Sequence, residues 1–181
     1  DDVVFGAVVS GRPADVRGAE SMVGLLINTV PVRATLTAAT TVAGLLEQLR
    51  RAQNHTLEHQ HLALPEIHRA TGHEQLFDTL FVYENYPIDR AALAGAHEVT
   101  VTDFTSREFN HYPLSVQAVP GDELGLRVEF DTEVFDADGI AAMIERFRRV
   151  LEAMAADPAR PLSTIDALDE SEHVHLGAWG N

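Results

Sequence analysis

Cysteine is absent from the 181 residues, which excludes disulfides, thiolate metal sites and a cysteine nucleophile. The same absence fits a reducing compartment and hence a cytoplasmic protein. Positive charge is scarce: 13 Lys and Arg stand against 28 Asp and Glu, a formal net charge of −15. A surface that negative repels phosphate backbones and anionic lipid, which argues against nucleic acid and membrane as partners. Its plainest effect is solubility. No apolar stretch has the length to span a bilayer, and Asp1-Asp2 does not open a signal peptide. The glycine spacings of dinucleotide and P-loop sites are missing, as is a Gly-x-Ser-x-Gly elbow.

What remains is ordinary globular material. Hydrophobic residues make up 45% and charged residues 23%, enough for one domain or one large subdomain with its own core. Val3 to Val9 reads as a buried strand, followed by a Gly- and Pro-punctuated loop from Ser10 to Gly18. Met22 to Arg33 is a greasy run, strand-like at its end, broken by Asn28. Thr40 or Thr41 caps a helix whose apolar face is Val42, Leu45, Leu46 and Leu49, with Glu47, Gln48, Arg50 and Arg51 on the wet side. It runs to about Leu57, and a short helix follows around Pro65 to Ala70. Strands are predicted over 76–84, 98–104, 113–119 and 123–131, the last two forming a hairpin turned by Pro120-Gly121-Asp122.

Within that hairpin Leu114, Val116 and Ala118 alternate with Ser115 and Gln117. Asp136 or Asp138 caps a second amphipathic helix with Ile140, Met143, Ile144, Phe147, Val150, Leu151 and Met154 on its buried stripe, ended by Asp157-Pro158. The pattern predicts an α/β (α+β) two-layer sandwich, a mixed sheet covered by long helices, rather than a doubly wound nucleotide fold. Both chain ends are abrupt, as in a piece cut from something longer.

Few residues carry a chemical signal. Ser10 follows a strand, but no His and Asp partners are assignable to it, so it reads as a loop serine. His55 and His59 lack the Glu directly after the first His that a zinc peptidase needs, since Thr56 stands there, so no metal site is assigned. The Asn54-His55-Thr56 sequon falls inside a predicted helix. Asn28 is different: an amide among Leu25, Leu26, Ile27 and Val30 must find partners or cost roughly 1–3 kcal/mol. Those partners are nearby backbone or a ligand. Arg33 is open in the same way, between a salt-bridged strand end and a site-facing cation.

At these residues a family resemblance becomes specific. Val23-Gly24-Leu25-Leu26-Ile27-Asn28-Thr29, followed by Arg33, resembles the fifth core motif of nonribosomal peptide synthetase condensation domains, Ile/Val-Gly-x-Phe-Val-Asn-Thr-x-x-x-Arg, with Leu26 in place of a commoner Phe. Phe5 to Pro13 is similar to the strand and floor loop of that family, and His59-Gln60-His61-Leu62-Ala63-Leu64-Pro65-Glu66 resembles its sixth motif in looser form. Phe77 to Pro87 is similar to the next strand, and Leu176 to Asn181 resembles the linker into an adenylation domain.

The resemblance implies a chloramphenicol acetyltransferase-like half: the C-terminal subdomain over 1–168, with a floor loop at about 10–22, a latch within about 98–125, and the start of a linker at 169–181. It implies two lobes around a tunnel, into which donor and acceptor carrier proteins insert phosphopantetheine arms; no cofactor belongs to the chain itself. The partners are then the N-terminal condensation subdomain, both carriers, a neighbouring adenylation domain, and a second copy through the exposed subdomain surface. By this likeness Asn28 faces the tunnel in support of catalysis, Ser10, Gly11 and Arg12 belong to the floor loop, and Thr29 and Arg33 fix local backbone. The family's His-His-x-x-x-Asp-Gly motif is missing, for no two histidines are adjacent. The chain is therefore expected to be inactive alone. Two alternatives share the fold: a non-catalytic relative that recruits carriers or a tailoring enzyme, and half of an epimerisation domain.

Overall fold

Alternating apolar residues that would be wasted singly are stacked edge to edge in a mixed sheet. A computed structural model describes residues 1–12, 16–84 and 110–179. Strands β1 (Asp2–Val9), β2 (Asn28–Thr35), β3 (Thr79–Tyr83), β4 (Leu114–Val119) and β5 (Gly125–Phe130) lie in the order β2-β1-β3-β4-β5. The outer pairs β1/β2 and β4/β5 are antiparallel, and the inner pairs β1/β3 and β3/β4 are parallel. Four helices accompany them among the described residues: α1 (Val42–Thr56), α2 (Leu64–Thr71), α3 (Ala137–Ala156) and α4 (Glu170–Trp179). This is the expected mixed sheet with helices. The predicted strand at 98–104 and the 98–109 part of the latch lie outside the described residues. The rest of the latch span is β4 and its turn into β5.

Helix α1 starts where the sequence places it. The Thr41 hydroxyl accepts from the Gly44 N–H at 3.1 Å. Two further first-turn donors find tertiary partners: the Val42 N–H donates to the Arg160 carbonyl at 3.2 Å and Ala43 to Pro158 at 2.8 Å. The start of α1 is thereby tied to the segment that leaves α3. On the wet side Arg50 and Arg51 both donate to Glu47, and they hold its carboxyl down at about 2. Gln48 departs from the wet-side assignment. Its Oε1 accepts from the Thr35 N–H at 2.8 Å and its Nε2 donates to the Thr35 carbonyl at 3.2 Å. At the open edge of β2 the side-chain amide thus mimics a further strand.

The hairpin forms as predicted, with Ser115 opposite Glu129 and Val116 opposite Val128. Its burial departs from the alternation. Ser115 and Gln117, on the supposed wet face, are buried, whereas Leu114 and Val116 are only half-buried. The reason is position: β4 is an inner strand, so both of its faces are covered. Gly6, Leu80 and Ser115 form one lateral row on that face, and the Phe77 ring lies against Gly6. The Ser115 hydroxyl has no partner among the described residues. The strand predicted from residue 76 begins only at Thr79, because Phe77 leaves the ladder to cover this row. On α3, capped by Asp136, Ile140 is buried and Met143, Ile144, Val150, Leu151 and Met154 are half-buried.

The C-terminal residues form α4, which is secured at its start by a reciprocal cap. The Glu172 N–H donates to the Asp169 carboxylate at 2.9 Å, and the Asp169 N–H donates to the Glu172 carboxylate at 2.8 Å. Arg146 and Arg149 of α3 reach across to the same two acids. The Ser171 hydroxyl and the Glu172 N–H hold the Asp169 carboxyl at about 2, below its ordinary 3.8. A depressed carboxyl stabilises the folded form above its ordinary value, and that support is lost as pH falls through the folded value. Acidification from pH 5 to pH 2 should therefore release α4. The single tryptophan, Trp179, reports it, and its fluorescence anisotropy should fall across that range. Anisotropy that stays level to pH 2 would rule out the acid-held cap.

Candidate functional site

The residues flagged by the sequence meet where β1 ends and β2 begins. Val9, the last residue of β1, pairs with Asn28, the first of β2. Between them the chain makes a closed loop. Gly11 sits at φ +60, and a Cβ there would fall 2.0 Å from the Leu26 carbonyl oxygen. Only glycine fits. The Arg12 guanidinium donates to the Ala19 carbonyl and, at 3.1 Å, to the Met22 carbonyl. Arg12 therefore shuts the loop that it opens, while Ser10 is exposed.

Asn28 secures the other side of the junction. Its Nδ2 donates to the carbonyls of Gln60 and Leu62, each at 2.7 Å. The greasy run before it is not a buried strand, as its composition suggests: Met22 to Ile27 lie outside the sheet, and most of their side chains are exposed. They leave the sheet because Arg12 and Gly11 hold the loop to its own backbone rather than to β1. The polar demand of Asn28 is met by the turn that follows α1, more than thirty residues along the chain. With both amide hydrogens engaged, Oδ1 is the atom left to accept a hydrogen bond.

Thr29 pairs with Val8 inside the ladder. Arg33 resolves toward the strand-end reading: its Nε donates to both Asp2 carboxylate oxygens, at 2.9 and 3.0 Å. The Arg33 guanidinium holds the Asp2 carboxyl below the usual range, and the pair is exposed, so it contributes little stability. The structure thus brings Gly11, Arg12 and Asn28 into one junction and leaves Arg33 at the far end of β2.

Beside the junction lies a feature the sequence did not reveal. A cavity of about 390 Å³ opens between the second half of α1 and the sheet, with Leu49 and Ala52 on one side and Phe5, Ala7 and Phe81 on the other. Its walls are mainly apolar, and the Phe5 and Phe81 rings meet edge to face at 6.4 Å. Val9 and Gln60 line it, and these are the residues that Asn28 pairs with and bonds to. The only advance signal was the apolar content of three separate segments, which says nothing of the gap between them. Among the described residues no three metal-ligating side chains gather in one place, and no helix is long and apolar enough to cross a membrane.

Known proteins place this architecture. The chain is 37% identical to part of the linear gramicidin synthase of Brevibacillus parabrevis over 178 residues, 97% of this chain and 2% of that polypeptide. It is 34% identical to surfactin synthase subunit 3 of Bacillus subtilis, again over 97% of this chain but 14% of the relative. The chain thus spans a small part of the curated relatives it matches. Among solved structures it is similar to the starter condensation domain of the rhizomide synthetase in complex with C8-CoA, at 25% identity and a TM-score of 0.68, over 93% of this chain and 39% of that one. A four-domain nonribosomal peptide synthetase bound to AMP and glycine shares the fold at 17% identity, with a TM-score of 0.80 over 95% of this chain and 14% of that one. The condensation domain model matches residues 1–176, and with the junction at the motif's own residues this chain belongs to the condensation domain family.

Proposed function

We propose that this chain forms one lobe of a condensation domain that makes amide bonds in nonribosomal peptide synthesis. The observation that carries the reading is the match to linear gramicidin synthase along 97% of the chain. In the reaction, the amine of a carrier-bound aminoacyl thioester attacks the carbonyl of a carrier-bound acyl or peptidyl thioester. A C–N bond forms, the C–S bond breaks, and the departing thiolate takes up the proton that the amine loses. Such a step needs the amine deprotonated and held near the carbonyl.

This lobe contributes position rather than proton transfer, since its sequence has no adjacent histidine pair. Asn28 is the supporting residue. Its Nδ2 braces the turn at Gln60 and Leu62, and its Oδ1 accepts from an amide of a pantetheine arm. Gly11 and Arg12 hold the floor loop beneath it. The partners are the N-terminal subdomain, a donor carrier, an acceptor carrier and an adjacent adenylation domain, in a cytoplasmic assembly. The lobe alone is inactive.

Two measurements test this. Incubating the 181-residue chain with two loaded carriers should yield no amide product, and product would disprove inactivity of the lobe. In the complete domain Asn28→Ala should slow condensation by at least about tenfold, the scale of one lost charge-free hydrogen-bonding group. Asn28→Asp should do no better, because its carboxylate faces the Gln60 and Leu62 carbonyls. If Asn28→Asp kept full activity, Oδ1 alone would matter and the brace would not.

A further inference from the structure

The loop closed by Arg12 ends in an apolar tip that the lobe itself does not use. Val23 is 103% exposed and Leu25 90%, with Met22 at 51% and Ile27 at 49%. Isolated exposed apolar residues are ordinary, but four within six residues form a patch. The tip is also held in place rather than loose. Arg12 fixes the Met22 carbonyl, Gly11 presses on the Leu26 carbonyl, and Asn28 anchors the next residue. Such bracing means that little conformational freedom is left to lose on docking.

We infer that Met22, Val23, Leu25 and Ile27 form a preset apolar prong that seats in the remainder of the condensation domain, an assignment that rests on the function proposed above. Three observations choose this occupant. The fold of this chain accounts for 39% of the solved starter condensation domain, so about three-fifths of such a domain is other polypeptide. A second copy is disfavoured, because two chains of net charge −15 repel. The prong is continuous with Asn28 and the Arg12 loop, so seating it brings that junction against the other lobe. Tethering in one polypeptide supplies the high effective concentration that a small patch needs.

Methionine oxidation in the complete condensation domain tests the inference. With dilute peroxide and peptide mass spectrometry, Met22 should oxidise no faster than the half-buried Met154 of α3. In Val23→Asp/Leu25→Asp the Met22 rate should rise at least about fivefold, while the Met154 rate, which reports an intact lobe, stays within about twofold. Met22 oxidising several-fold faster than Met154 in the unaltered domain overturns the prong. So does protection that appears only at high protein concentration or only on adding carriers, which would assign the tip to a second copy or to a carrier. Protected Met22 in a domain that forms no amide supports the prong and removes the proposed function. Amide formation with freely oxidised Met22 does the reverse.

Discussion

Gly11→Ala should lower the stability of the lobe by about 2–4 kcal/mol and loosen the start of β2. The left-handed conformation costs an L-residue roughly 1–2 kcal/mol, and forced overlap in a packed site adds about 1–3 kcal/mol. Both apply at φ +60 with backbone only 2.0 Å from the added carbon. A flexible side chain could swing away, but the obstacle is the Leu26 carbonyl, and moving it displaces the peptide two residues before Asn28. The loss should therefore appear twice: as a lower midpoint in urea, and as faster amide exchange from Asn28 to Val30. An unchanged midpoint would mean that the loop does not press on Leu26. Arg12→Ala should show the exchange effect with a smaller midpoint shift, since it removes two hydrogen bonds but adds no overlap.

The parts of the fold legible in the sequence are those in which local preference and tertiary packing agree. Thr41 before a 3.6-residue apolar spacing yields α1, and Pro120-Gly121-Asp122 between alternating runs yields the β4/β5 hairpin. Where a residue's role depends on distant backbone, pattern misleads. Gln48 looks like solvent decoration and instead closes the edge of β2. Ser115 looks wet and is buried, because only strand order reveals that β4 is covered on both faces. The site shows the same division. Asn28 stood out as an amide in apolar company, and Gly11 and Arg12 followed from the motif, but their partners were unreadable. The carbonyls of Gln60, Leu62, Ala19 and Met22 carry no sequence signature, since every residue has one.

The second large effect concerns the central row of the sheet, where Gly6 and Phe77 share one volume. A Cβ on Gly6 would sit 2.2 Å from the Phe77 ring, so the ring occupies the space that a side chain in the middle of β1 would fill. Phe77 is buried and stacks on Tyr112 at 5.4 Å, where burial also pushes the Tyr112 phenol upward. The ring therefore has a neighbour behind it and cannot retreat freely. Gly6→Ala should cost about 1–3 kcal/mol by overpacking, and Phe77→Ala about 3–5 kcal/mol by leaving a cavity. The two should not add. With the ring gone, the alanine methyl enters vacated space, and the double variant should be more stable than the sum of the single losses by about 1–2 kcal/mol. Urea denaturation of all four proteins measures that coupling. Losses that add within about 0.5 kcal/mol would show that the ring does not stand in for the missing side chain of Gly6.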